Sequence, residues 1–142
     1  MIVKTLLAAK TGPVACVDPD VTILSAVERL TALQIGALVV TDRAGDVVGV
    51  FSERDLVRGL AEEGENILEC RVSDLMSRRV ETVGLQDTVD HLMSLMTNRR
   101  VRHLPVIDKG RLVGIVSIGD VVKHKIAEAE EESEALRAYI AS

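Results

Sequence analysis

At 142 residues, 47% of them hydrophobic and 27% charged, the chain has the make-up of one globular domain or of two small halves sharing a core, and is too apolar for wholesale disorder. A net charge of −5 and only two aromatic residues, Phe51 and Tyr139, argue against nucleic acid as a partner, since a phosphate backbone asks for a basic face and single strands ask for stacking rings. Cys16 and Cys70 make neither a disulfide framework nor a zinc set, the apolar run before Lys10 is too short for a signal peptide, and no stretch approaches the ~20 apolar residues of a membrane span; the expectation is a cytoplasmic protein with no membrane partner and no metal.

In chain order, Val3 to Ala9 reads as a short turn of helix, and Val14-Ala15-Cys16-Val17 as an apolar run ended by the turn Asp18-Pro19-Asp20. Ile23, Ala26, Val27, Leu30 and Leu33 recur at helical spacing behind Thr22, a residue suited to cap a helix. Ala37 to Val40 predicts a buried strand, Asp42 to Asp46 a hairpin turn with Gly45 free to take a positive φ, and Val47 to Phe51 the returning strand. A helix is expected from Ser52 toward Glu62, and Glu62-Glu63-Gly64-Glu65-Asn66 reads as a solvated linker. Val72 to Met76 predicts another short helical turn, Glu81-Thr82-Val83 a strand, and Val89, Leu92, Met93 and Met96 a helix. His103 to Ile107 and Leu112 to Val116 predict a hairpin turned by Lys109-Gly110. From Ser117 a helical pattern runs almost to the end. In it Val122, Ile126, Ala129, Ser133, Leu136 and Ile140 fall at spacings of 4, 3, 4, 3 and 4, a stripe that fits either packing on its own domain or pairing with a second subunit.

These elements come twice. Gly49-Val50-Phe51-Ser52-Glu53-Arg54-Asp55 returns as Gly114-Ile115-Val116-Ser117-Ile118-Gly119-Asp120, with Gly, Ser and Asp each displaced by 65 residues. Upstream, Thr22 and Asp42 return as Thr88 and Asp108 at a displacement of 66, because the first hairpin turn is one residue longer. A half-size unit seldom closes its own core, so each copy must bury its apolar face against the other, and the cleft between them becomes the natural place for a ligand.

The tandem β-α-β-β-α pattern, with a hydrophobic-Gly-hydrophobic-hydrophobic-Ser-x-x-Asp ending in each half, resembles the cystathionine-β-synthase (CBS) domain pair from Val14 to about Lys123. Arg102-His103-Leu104-Pro105-Val106-Ile107-Asp108 is a further close match. The fold expected is α/β in the α+β sense: two repeats related by pseudo-two-fold symmetry, plus terminal helices. Its divisions would be 1–62 (N-terminal helix and first repeat), 63–71 (linker), 72–126 (second repeat) and 127–142 (C-terminal helical tail). The resemblance implies a regulatory module binding AMP, ADP, ATP, NAD(H) or S-adenosylmethionine in the cleft, often as a homodimer. The chain carries no catalytic or transport domain of its own, so a regulated partner would be another polypeptide.

The Ser-x-x-Asp endings suggest how a ligand would be gripped. At a strand-to-helix junction the helix N-terminus offers unpaired N–H groups to phosphate, Ser52 or Ser117 adds a hydroxyl, and Asp55 or Asp120 can accept from both ribose hydroxyls. The same pattern is a capping box, in which the acid reaches back to its own cap, so the two roles would compete for one carboxylate. Arg54 in the first turn of its helix opposes the helix dipole, which hints at a phosphate role. By resemblance, Arg102 and His103 are expected to meet phosphate, and adenine to lie against Lys10, Ala15 and Cys16 in the first repeat or Met76, Glu81 and Thr82 in the second. No nucleophile–base set, Walker lysine or dinucleotide glycine motif is apparent, so the chain is not expected to be an enzyme. The alternative reading is a structural dimerisation protein with a vestigial cleft.

Overall fold

In the computed structural model, which describes residues 1–10 and 12–142, two copies of one unit stand side by side. The first contains β1 (Cys16–Val17), α2 (Ile23–Leu33), β2 (Ala37–Thr41), β3 (Val47–Ser52) and α3 (Glu53–Glu63), preceded by α1 (Val3–Ala8). The second contains α5 (Val89–Arg99), β4 (His103–Asp108), β5 (Arg111–Ser117) and α6 (Ile118–Ala141), preceded by α4 (Val72–Leu75). The expected caps are in place. Thr22 Oγ1 accepts the Ser25 N–H at 3.1 Å, and Thr88 Oγ1 accepts the His91 N–H at 3.0 Å. The first hairpin turns as its sequence requires: Asp42 Oδ1 accepts the Ala44 and Asp46 N–H groups, each at 3.0 Å, while Gly45 takes φ +86°.

β2 and β3 pair antiparallel, as do β4 and β5, and both hairpins slip register at the same place, Val40/Thr41 and Val106/Ile107. The copies differ at the leading strand. β1 runs parallel to β2, and the Val39 N–H donates to the Ala15 carbonyl at 3.1 Å. The expected strand Glu81-Thr82-Val83 is instead a single bridge from Val83 to Val106. The reason is chemical. The residue that matches Val39 is Pro105, which has no N–H to offer the Glu81 carbonyl, so the ladder stops after one residue. A second departure lies within the expected linker, 63–71, read as solvated over Glu62 to Asn66: Gly64–Glu69 winds into a 3-10 helix and buries Ile67 in contact with the first unit. Met93, expected on the buried face of its helix, is exposed; Val89, Leu92 and Met96 form that face.

The two leading helices are exchanged. Val3 and Leu6 of α1 sit in the core of the second unit, with Val83, Leu92, Leu104, Val106, Val116 and Val121. Val72 and Met76, from α4 and its end, sit in the core of the first, with Ile23, Leu30, Leu38, Val40 and Phe51. Main-chain bonds hold the exchange: the Val3 and Lys4 N–H groups donate to Asp87 and Leu85 carbonyls at 2.8 and 2.9 Å, and Val72 N–H donates to Val21 at 2.9 Å. Burying one such aliphatic side chain contributes about 1.5–3 kcal/mol, so two per helix is enough to fix it. The exchange explains the repeated glycine. A Cβ on Gly49 would lie 2.6 Å from the Met76 sulfur, and one on Gly114 would lie 2.6 Å from a Leu7 methyl. Each glycine is the flat spot on which the other half's helix rests.

Candidate functional site

Exchange carries the segment leading into each repeat over the strand end of the other. Lys10, which follows α1, therefore reaches the second repeat: its Nζ donates to Asp120 Oδ2 at 2.9 Å and to the Ile115 carbonyl at 2.8 Å. A cavity of about 480 Å³ opens beside this contact, walled by Val14, Ala15, Ile35, Ala37, Val113 and Ile115 and floored by Ser117, Asp120 and His103. That volume lies within the range of small-molecule pockets, and one polar edge on an apolar slot is the usual lining. The mirror-related cavity is smaller, about 260 Å³, and joins Ser52, Glu53, Arg54 and Asp55 of the first repeat to Ser77, Arg79 and Glu81 of the lead-in to the second.

Both acids cap their own helices. The Ser117 N–H donates to Asp120 Oδ2 at 2.8 Å and the Asp120 N–H to Ser117 Oγ at 3.2 Å; Ser52 N–H donates to Asp55 Oδ2 at 2.9 Å. The cap engages Oδ2 alone, so capping and a second acceptor role do not exclude each other, contrary to the competition expected from sequence. The two sites then diverge at Oδ1. Arg58 Nη2 donates to Asp55 Oδ1 at 3.1 Å, and that side chain is only 8% exposed. Asp120 Oδ1 has no protein donor among the described residues, and its side chain is 25% exposed toward the cavity. Burial works against ionisation of Asp120, but the hydrogen bonds from Lys10 and Ser117 outweigh it and hold the carboxyl below the ordinary carboxylate range.

The helix N-termini are less open than the pattern suggested. The first N–H of α3, from Glu53, donates to the Gly36 carbonyl at 3.0 Å, and that of α6, from Ile118, to the Arg102 carbonyl at 2.8 Å. With the third N–H bound by Ser52 or Ser117, the second, of Arg54 or Gly119, is the one left for an anion among the described residues. Gly119 presents that amide without a side chain over it.

His103 and Gly36 line both cavities and form the partition between them. A Cβ on Gly36 would lie 3.4 Å from His103 Nε2. Burial, the leading effect, holds the His103 imidazole below the ordinary histidine range; Lys10 and Arg102 act in the same direction, and Glu53 and Asp120 oppose them. On the Asp55 side the walls carry Arg54, Arg58, Arg79, Arg100 and Arg102 against Glu53, Asp55 and Glu81, so that half is basic, while the Asp120 half sets one balanced Lys–Asp pair, Gln34, Ser117 and His103 among aliphatic walls.

Not every residue singled out from the sequence faces the cleft. Met76 is buried against Gly49, because that glycine needs a side chain to fill its missing Cβ. Cys16 lies on β1 away from both cavities, its thiol pushed up by burial despite Arg29 and a hydrogen bond to Thr41. Thr82 is exposed beside the truncated strand. Arg54 lines the smaller cavity, but its Nη1 donates to the Arg100 carbonyl at 3.2 Å, closing the end of α5, and Glu81 pairs with Arg99 at 3.4 Å. Arg58, Arg79 and Gly36 were not anticipated. The i, i+3 spacing of Asp55 and Arg58 on one helix face was the available signal for the first.

The comparison with known proteins agrees with this architecture. The family model for the CBS domain matches residues 4–62 and again 72–127. The "CBS domain-containing protein CBSX3, mitochondrial" of Arabidopsis thaliana is 38% identical over 126 residues, covering 85% of this chain and 61% of its own length, so the chain spans about three fifths of that relative. Among solved structures, the CBS-domain containing protein ATU1752 from Agrobacterium tumefaciens is 48% identical with a TM-score of 0.84, over 87% of this chain and 92% of that one. The CBS domain pair of protein MJ0100, in complex with 5-methylthioadenosine and S-adenosyl-L-methionine, is 25% identical with a TM-score of 0.79, over 90% and 98% of the two chains. The CBS domain protein PAE2072 from Pyrobaculum aerophilum, complexed with AMP, is 28% identical with a TM-score of 0.75, over 84% and 89%.

Proposed function

The chain belongs to the CBS domain family, and from that premise we propose that it is a non-catalytic regulatory module that holds an adenosine-containing ligand between its repeats. The observation that carries the proposal is Asp120. Its Oδ2 is fixed by Lys10 and Ser117, its Oδ1 has no protein donor among the described residues, and the side chain lines a cavity of nucleoside size, the arrangement a ribose diol needs. Adenine would lie against Val14, Ala15 and Ile35. Phosphates would run past Gly119 and His103 toward Arg102 and the basic half of the cleft, which favours AMP, ATP or NAD(H) over uncharged nucleosides. The complexes of related CBS proteins with AMP, S-adenosyl-L-methionine and 5-methylthioadenosine support the ligand class.

A sensing role supports itself on the same geometry. A ligand touching Lys10 and Ala15 from one side and Ser117 and Asp120 from the other ties the two repeats together, and any change of surface that follows would be read by a partner polypeptide or a second subunit. Non-catalysis is favoured by the serines: Ser117 Oγ is an acceptor within its cap, Ser52 Oγ donates at 3.1 Å to the carboxylate that caps its own helix, and among the described residues neither hydroxyl is hydrogen-bonded to a histidine or lysine. No described helix is long and apolar enough to cross a membrane. The cytoplasmic location expected from sequence stays part of the proposal, with the mitochondrion of the Arabidopsis relative as the alternative that fractionation would separate.

The test is calorimetry and thermal melting with AMP, ATP, NAD, S-adenosylmethionine and adenosine. At a hundredfold excess over Kd a real site adds about 2.7 kcal/mol of stability. Asp120→Ala should weaken binding at least tenfold. No melting shift with any of these ligands would turn the reading toward a dimerisation protein with a vestigial cleft, which the exposed apolar side of α6 favours; conversion of the nucleotide during incubation would turn it toward an enzyme.

A further inference from the structure

The last part of α6 stands away from the body. From Ala129 to Ser142 every residue is exposed, and the helix continues to Ala141, roughly 20 Å beyond Glu128, its last half-buried residue. An isolated helix of that length is marginal in water. It also shows apolar surface: Val122 is 48% exposed, Ile126 55%, Leu136 59% and Ile140 73%. Val121, one residue from the seam, is 1% exposed, so the body lies on one side and the seam opens sideways to solvent. The alternating spacing of 4 and 3 along Val122, Ile126, Ala129, Ser133, Leu136 and Ile140 is that of a two-stranded coiled coil, with Ile126, Ser133 and Ile140 at one core position and Val122, Ala129 and Leu136 at the other.

The charges beside the seam choose the occupant. Lys125 and Glu132 flank it on one side, Lys123, Glu130 and Arg137 on the other. If a second copy lies parallel, Lys125 meets Glu130 of that copy and Glu132 meets its Arg137, both opposite in sign. If it lies antiparallel, Lys123 meets Arg137, while Glu130 and Glu132 each meet themselves, all alike in sign. We infer that this segment is a self-recognition element: α6 pairs with α6 of a second copy as a parallel coiled coil, read by the Lys125–Glu130 and Glu132–Arg137 pairs and registered by the polar Ser133 layer. The pairing joins two modules at the same end of the helix and leaves both clefts outside the contact. It does not depend on what the clefts bind.

Lys125 also meets Asp90 at 3.3 Å and Glu128 at 3.8 Å within its own chain, so the second pair is the cleaner probe. Ser133→Cys in the full chain places a thiol in the core layer opposite its own copy. Under mild oxidation it should give a disulfide-linked dimer that wild type, with half-buried Cys16 and Cys70, does not. Glu132→Arg or Arg137→Glu in that background should slow cross-linking about tenfold, since each turns two attractions into repulsions, and the double exchange should restore it. These positions are exposed and leave the fold intact, which circular dichroism would check. The inference fails if Ser133→Cys does not cross-link, if single charge reversals do not slow it, or if the double exchange stays as slow as the singles. It fails equally if Ala129→Cys mixed with Ser133→Cys links faster than Ser133→Cys with itself, the mark of an antiparallel pair.

Discussion

Gly49→Ala and Gly114→Ala add the same methyl at equivalent places, yet they should not have equal effects. At Gly114 the three atoms nearest the new Cβ all belong to the side chain of Leu7, at 2.6, 2.9 and 3.3 Å, and Leu7 is half-buried, the end of a flexible side chain rather than backbone. At Gly49 it meets Met76 Sδ at 2.6 Å and also the Ser77 carbonyl at 2.9 Å. That carbonyl cannot yield cheaply. It accepts the Val50 N–H at 3.0 Å, while the Ser77 N–H donates back to Val50 at 2.9 Å. Overpacking a filled core costs about 1–3 kcal/mol, and replacing glycine recovers about 0.4–1 kcal/mol from the unfolded chain. With the upper end for Gly49 and the lower for Gly114, the expected losses are about 2 kcal/mol and at most about 0.5 kcal/mol. Urea unfolding at unchanged m-value is the assay. A Leu7→Ala change should lose much of its effect in the Gly114→Ala background, whereas Met76→Ala should rescue Gly49→Ala only in part, because the carbonyl remains. Equal losses at both glycines, or rescue of Gly49→Ala that is complete, would refute the seating of the exchanged helices.

The cleft makes further predictions. Asp55→Ala should lower stability by about 1–2 kcal/mol, through loss of its cap and of the Arg58 contact, while leaving affinity for an adenosine ligand within about threefold; calorimetry showing Asp55→Ala and Asp120→Ala equally weak would remove the asymmetry between the sites. Arg102→Gln should weaken ATP far more than adenosine, and an equal effect on both would place the phosphates elsewhere. Because burial holds His103 below the ordinary histidine range, the unfolded chain binds its proton more readily than the fold does, so stability should drop as pH falls through the ordinary histidine value of 6.5; His103→Gln should flatten that limb of a urea-midpoint series. Asp120 acts in the opposite sense. Its carboxyl is held low, so its contribution is present above the unfolded value near 3.8 and lost only at lower pH, and Lys10→Met should move that loss upward, as NMR titration of the side chain would show.

The sequence made the repeat unit readable because its signals are local. Thr22 and Thr88 announce helix starts, Gly45 and Gly110 announce turns, and apolar spacing marks α2 and the hairpins. What it hid were relations between distant segments. The strand expected at Glu81 fails for lack of an N–H on Pro105, more than twenty residues away, and Met76 could not be told from a cleft residue until Gly49 was seen beneath it. Lys10 and Asp120 were each legible as candidates, but their meeting follows from the exchange of α1 and α4, which no periodicity encodes. Ile67, Leu68 and Cys70 were an apolar cluster inside an acidic stretch, a visible sign that this stretch was more than coil.

A single copy of the unit, cut free, would have nothing to lay on its own glycine, and could be completed only by trading its leading segment with another molecule. Tandem duplication makes that trade internal, so completion no longer depends on how much protein is in solution. Neither half can then be expressed alone as a faithful miniature of the whole, and a mutation in one half's opening turn registers as damage to the other.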